Sequence, residues 1–160
     1  MCIRDRIRTV FNGTDKAAEL ARDYLCNNFI YAANRVPEIC DSIVAIDNAM
    51  KWGYNHQLGP FETWDAVGVR EAVAVMKKLG KQVPRKIEEM LDAGFESFYT
   101  KKGDELYYYD FETKNYVKLK ENAKIIVLPA LKDRKKIVKQ NPGASLIDIC
   151  LLYTSDAADE

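Results

Sequence analysis

Histidine is almost missing from this chain: His56 is the single one in 160 residues. No pair of cysteines has metal-ligand spacing either, which removes the common zinc arrangements. Glycine is sparse, with 8 residues, and no Gly-x-Gly-x-x-Gly occurs. A loop that cradles a dinucleotide pyrophosphate at a helix N-terminus is therefore not encoded here. Charge of one sign is lacking too, since 24 Lys and Arg face 24 Asp and Glu. That balance offers no electrostatic footprint for nucleic acid or a membrane surface. No apolar run approaches the roughly 20 residues that cross a bilayer, so no membrane span is expected.

Two of the four cysteines, Cys2 and Cys150, lie in terminal segments that share a peculiarity. Met1 to Asp5 can be written ATG-TGT-ATA-AGA-GAC, and the reverse complement of that string also encodes Cys150 to Thr154. Two protein termini have no reason to spell one oligonucleotide in opposite senses. The string resembles the end of a transposase-type sequencing-library adapter. Residues 1–6 and 150–160 are accordingly expected to be adapter-derived and to lack order. The remaining Cys26 and Cys40 fall on apolar helical faces, the usual setting of buried thiols in a reducing, cytoplasmic compartment.

Nearly half of the residues are hydrophobic, enough to bury the core of one domain. Thr14 and Asp15 are capping-type residues ahead of a helical pattern that places Ala17, Leu20, Ala21, Tyr24, Leu25 and Asn28 near one face and runs on to Ala33. From Pro37, Ile39, Ser42, Ile43, Ile46, Ala49 and Met50 recur at three- and four-residue spacing, which predicts a second helix ended by Gly53. After a polar loop with His56, Pro60 suits the first turn of a third helix, and Glu62 places negative charge at its positive end. Shorter helices are predicted over 70–79, stopped by Gly80, and 84–91, stopped by Gly94. The period then changes. Leu106 to Tyr109 and Tyr116 to Leu119 flank a turn and predict a tyrosine-rich β-hairpin whose rings pack on a sheet. A Lys-rich helix is expected over 130–140, then a turn at Asn141, Pro142 and Gly143, and an apolar strand from Ala144 to Asp148.

The most specific pattern joins two motifs: Asp47-Asn48-Ala49-Met50-Lys51-Trp52-Gly53 and Leu58-Gly59-Pro60-Phe61-Glu62-Thr63-Trp64-Asp65, followed by Lys81-Gln82-Val83-Pro84. This pattern resembles the C-terminal-type domain of the 3-hydroxyacyl-CoA dehydrogenases. The resemblance implies a mainly α fold with a small β-hairpin over residues 7–120. It further implies a parent enzyme that oxidises 3-hydroxyacyl-CoA with NAD in fatty-acid β-oxidation. In that family the proton-transferring His-Glu pair sits in the nucleotide-binding domain, which this chain does not contain. An Asn at the start of the C-terminal region orients the substrate. Asn34-Arg35 copies it superficially, but stands only about half the family's distance from Asp47 to Met50, so Asn34 reads as a look-alike.

That spacing resembles a second copy of the domain in a dehydrogenase fused to an enoyl-CoA hydratase, with residues 121–149 as linker and start of the hydratase. The chain alone is expected to carry no catalytic, cofactor-binding or metal-binding residue and to be inactive, its parent's partners being the acyl-CoA and the missing domains. A homodimer fits the resemblance, and a non-catalytic packing or dimerisation module shaping the acyl-CoA site is the other reading. Asp47, Lys51, Trp52, Gly59, Pro60, Phe61, Glu62, Trp64 and Asp65 are the family-motif residues, structural or facing the substrate. Asp and Glu among them read as helix caps, Lys51 and His56 as exposed loop-side groups, and Trp52 and Trp64 as core anchors joining the two motif helices.

Overall fold

The computed structural model describes residues 2–103, 105–119, 137–141 and 144–147. The chain divides into two units, Met1–Leu119 and Lys120–Glu160. Among its described residues the first holds six helices and a three-stranded sheet: α1 (Ile3–Phe11), α2 (Lys16–Arg35), α3 (Ile43–Tyr54), α4 (Pro60–Val67), α5 (Val69–Lys78), α6 (Arg85–Asp92), β1 (Tyr99–Lys102), β2 (Glu105–Asp110) and β3 (Asn115–Lys118). The mainly α architecture expected from the sequence is the one observed. No helix among the described residues is long and apolar enough to cross a membrane.

Ile3 to Arg6, expected to lack order, form the first turns of α1. Ile3, Ile7 and Phe11 recur every fourth position, which stacks them on one face. Ile3 and Ile7 are half-buried and Phe11 is fully enclosed, so the helix packs against α2 and α4. Residues 150–160 lie outside the described residues.

Helix α2 is capped by Asp15, whose Oδ1 accepts from the Ala18 N–H at 2.7 Å. Its buried face is Ala18, Cys26, Phe29, Ala32 and Ala33, not the predicted one, and Leu20 and Tyr24 are 72% and 66% exposed. Apolar residues surround most of this helix, so periodicity could not choose a face. Packing selected the side where small alanines admit neighbouring helices and Phe29 fills the space between them. Helix α3 begins at Ser42, whose Oγ accepts from the Val44 N–H at 3.2 Å, rather than at Pro37. Ile39 lies before the helix in the turn and is exposed. Cys40 shares that position, where its Sγ–H donates to the Ser42 carbonyl at 3.4 Å, while Cys26 is buried on α2. The C-terminal stop of α3 is Asn55 in the left-handed region, φ 56°, two residues past Gly53. Helices α5 and α6 fall within a residue or two of expectation, and Gly68 at φ 107° turns α4 directly into α5.

The core is aromatic at its centre. Trp64 stacks on Phe29 with ring centroids 5.0 Å apart and planes 8° from parallel, and Phe98 meets Trp64 at 5.2 Å and Phe61 at 4.9 Å. Met76, Ile87 and Met90 close the shell from α5 and α6. The predicted hairpin forms as β2 and β3, with Tyr109 opposite Tyr116, and β1 adds a third strand with Tyr99 opposite Tyr108. Tyr109 and Tyr116 pack on Phe95 at 5.0 and 5.1 Å, so this part of the tyrosine row faces the core.

In the second unit, β4 (Ile137–Gln140) pairs antiparallel with β5 (Ser145–Ile147). The helix expected through Gln140 is thus corrected over 137–140 to a strand; 130–136 lie outside the described residues. β-branched Ile137 and Val138 favour an extended backbone, and the Asn141 N–H donates to the Ala144 carbonyl between the two strands at 2.9 Å; Pro142 and Gly143 of the expected turn lie outside the described residues. The apolar strand expected from Ala144 forms as β5, with Asp148 outside the described residues. Most of the linker and hydratase segment expected over 121–149 is likewise outside them.

Candidate functional site

The two motifs meet where α3 lies against the start of α4. Ile43 and Asp47 point inward from α3. Asp47 is completely buried. Its Oδ1 accepts from the Phe61 N–H at 2.9 Å, and its Oδ2 accepts from the Glu62 N–H at 3.2 Å and the Tyr99 hydroxyl at 2.7 Å. The first two bonds satisfy amides at the N-terminus of α4 that have no partner within the helix. Asp47 is therefore a cap, as expected, but it caps the neighbouring helix rather than its own. Gly59 makes the approach possible, because a Cβ there would stand 2.4 Å from the Cα and Cβ of Asp47.

Glu62 closes the junction from the other side. Its Oε2 accepts from the Gly59 N–H at 2.9 Å and its Oε1 meets Lys51 Nζ at 2.8 Å. Lys51 is thus a half-buried partner of Glu62 rather than an exposed loop-side group, since its stem lies along the packed helix surface. Asp65 caps no helix: its Oδ1 and Oδ2 accept from the Phe98 and Tyr99 N–H groups at 2.7 and 2.8 Å, which fixes the entry to β1. Burial pushes the Asp47 carboxyl up to about 6 and that of Asp65 up to about 7. The Tyr99 hydroxyl is raised as well, by burial first and then by the charge of Asp47.

The two tryptophans separate. Trp64 is the buried anchor, whereas Trp52 is 72% exposed, which corrects its placement in the core. At 3.6 residues per turn Trp52 lies about 140° around α3 from the inward-facing Asp47. Pro60 and Phe61 are buried at the start of α4. His56 is exposed on the loop, 6.3 Å from the Tyr54 ring, and Asn34 is exposed near the end of α2. His56→Ala is expected to change the urea midpoint by no more than an exposed substitution usually does, within about 0.5 kcal/mol. A larger loss would mean that the loop leans on this ring. Tyr99 is the participant that sequence reasoning missed. It lies outside both motifs, and only the burial of Asp47 creates the need for its hydroxyl.

Asp47, Glu62, Lys51, Asp65 and Tyr99 thus bind one another and nearby backbone amides, an arrangement that sets the angle between α3, α4 and β1. Among the described residues no three His, Cys, Asp or Glu side chains are grouped to hold a metal. The fold and this junction define a helical domain in which the motif carboxylates hold backbone amides and position neighbouring elements. Residues 25–109 match the family model described as 3-hydroxyacyl-CoA dehydrogenase, C-terminal domain, and the chain belongs to that family. It is also 42% identical over 144 residues to a "Probable 3-hydroxyacyl-CoA dehydrogenase" of Bacillus subtilis (strain 168), a match covering 90% of this chain and 18% of that protein. No solved structure matches it significantly.

Proposed function

We propose that this chain is the C-terminal-type helical domain of an enzyme that oxidises 3-hydroxyacyl-CoA to 3-oxoacyl-CoA with NAD in cytoplasmic fatty-acid β-oxidation, fused to an enoyl-CoA hydratase. The observation that carries the reading is the coincidence of the Asp47–Gly59–Glu62 junction with the family-matched segment. The similarity to the Bacillus subtilis protein supports the same activity. In this proposal the domain braces its neighbours and shapes the acyl-CoA side of the active site. The nucleotide-binding domain supplies the NAD site and the acid-base pair. Hydride transfer needs the nicotinamide held against the substrate carbon and a base within reach of the hydroxyl. His56 lies on an exposed loop beside the Tyr54 ring, with no orienting carboxylate among the described residues.

Three measurements test the proposal. Calorimetric titration of the chain with NAD is expected to show no binding, and an assay on a 3-hydroxyacyl-CoA no turnover; tight binding, or turnover lost in His56→Ala, would overturn the division of labour. A hybrid in which this chain replaces the matching segment of the Bacillus subtilis protein is expected to oxidise 3-hydroxyacyl-CoA with NAD. A folded hybrid with no such activity would count against the proposed parent function.

A further inference from the structure

Helix α2 is apolar on two sides. Its inner side, with Cys26 and Phe29, is buried in the core, while Leu20, Tyr24 and Tyr31 stand outward and are 72%, 66% and 62% exposed. At 3.6 residues per turn these three lie within about 40° of one another, so they form a stripe along the helix. Ala17, Ala21 and Asn28 flank it without charge. The charged groups of α2 that border it are engaged elsewhere. Arg22 donates to the Phe11 and Gly13 carbonyls in the α1–α2 turn, Asp23 pairs with Lys81 at 2.6 Å, and Arg35 pairs with Glu38 at 2.9 Å while lying 4.9 Å from the centre of the Tyr31 ring.

Other helices of the domain do not share this property. The surfaces of α5 and α6 carry the ion pairs Arg70–Glu96, Lys77–Glu88 and Arg85–Glu89. Single apolar residues are ordinary on a protein surface, whereas a helix that is apolar on opposite sides is one that is covered on both. The stripe and its alanines expose on the order of 500 Å², the size of patch that marks an interaction site.

We propose that the Leu20–Tyr24–Tyr31 stripe is the face on which this domain receives the preceding dehydrogenase part of its parent polypeptide, through an uncharged, apolar surface of that part. The inference rests on the dehydrogenase reading above. The matching family model describes a C-terminal domain, which sets the rest of the dehydrogenase before it, and the match spans only 18% of the Bacillus subtilis protein. Preceding chain enters through α1, which is 9 residues long and is joined to α2 by residues 12–15. A helix of that length extends about 13 Å, so the entry point lies within reach of the Leu20 half of the stripe.

A second copy of the chain fits the stripe less well. Twofold antiparallel pairing about the middle of the stripe would set Lys16 opposite Arg35 at each end, cation against cation. Separate molecules need about 800 Å² per partner for a stable complex, whereas domains of one polypeptide pack over about 600–1,500 Å² counted on both sides. The stripe reaches the second range and not the first.

The test is photo-crosslinking in the Bacillus subtilis hybrid that carries this chain, with a benzophenone side chain in place of Tyr24 or of Tyr31. Crosslinks within one polypeptide to the segment preceding the match are expected. Crosslinks to a second polypeptide, crosslinks to the segment following the match, or none at all would overturn the proposal. Should the hybrid not fold, the same side chain at the position of the Bacillus subtilis protein aligned with Tyr24 gives the deciding result. Hydroxyl-radical labelling supplies an independent readout: Tyr24 and Tyr31 are expected to label in the chain alone and to lose most of that labelling in the hybrid. Tyr24→Glu, which leaves the free chain folded because the ring is exposed, is expected to restore labelling of Tyr31 in the hybrid. Equal labelling of the free chain and the unaltered hybrid would overturn the proposal. An inactive hybrid with the expected crosslinks would defeat the dehydrogenase reading and leave the docking face standing, and an active hybrid without them would do the reverse.

Discussion

Gly59→Ala is expected to cost about 4 kcal/mol or more, a large share of the roughly 5–15 kcal/mol that holds a domain of this size folded. The added methyl would sit 2.4 Å from Asp47 Cα and 2.3 Å from its Oδ1. An overpacked core ordinarily costs about 1–3 kcal/mol because side chains can change rotamer. A backbone carbon in the middle of α3 has no such escape. The helices must separate, and separation also removes the two amide bonds with which Asp47 caps α4, a further loss of about 1–2 kcal/mol. For a denaturant slope near 2 kcal/mol/M, the urea midpoint should fall by about 2 M. Gly53→Ala is the matched control, because a Cβ there meets nothing within 4 Å. As a helical position it should gain up to about 1 kcal/mol. Similar midpoints for the two variants would show that α3 and α4 do not approach as closely as described.

Trp64→Ala is expected to destabilise the fold by about 3–5 kcal/mol, the usual cost of emptying a large aromatic site. The indole is fully enclosed and lies between Phe29 and Phe98, so truncation removes two ring contacts and leaves a cavity that three helices and β1 cannot easily collapse. Trp64→Phe should recover much of the loss. The buried Nε1 has no hydrogen-bond partner among the described residues, so replacing the indole sacrifices no bond. Trp52→Ala, by contrast, should fall within about 0.5 kcal/mol because that ring is exposed. Thermal unfolding followed by near-ultraviolet circular dichroism separates the cases. Equal costs at Trp52 and Trp64 would reverse the assignment of inner and outer faces on the motif helices.

The helix-loop-helix at Asp47 and Trp64 was legible because its signals are local. Proline at the first turn of α4, glycine before it and a glutamate at its third position each carry a backbone reason for being there. Elements with several compatible local solutions were read less well. Residues 37–42 carry a helical apolar spacing, yet the Ser42 cap starts α3 later. Residues 137–140 could continue a Lys-rich helix, yet pair as a strand with Ser145–Ile147. In both places a cap or a partner strand outweighed periodicity, whose free-energy preference per residue is only a few tenths of a kcal/mol.

By itself, the sequence determined the class of fold, the order of helices α2 to α6, the tyrosine hairpin and the residues that make the family junction, because spacing, capping chemistry and glycine or proline positions act over a few residues. Only the tertiary structure decided that α2 turns Phe29 and the alanines inward while Leu20 and Tyr24 face out, that Trp64 is core and Trp52 is surface, and that Asp65 ties down β1 rather than a helix. It alone brought Tyr99 to Asp47 across 52 positions of chain. The physical reason is common to all of these. A face, a buried donor or a non-local cap is chosen by which surfaces fit together at native packing density, and that choice involves partners that no window of sequence contains.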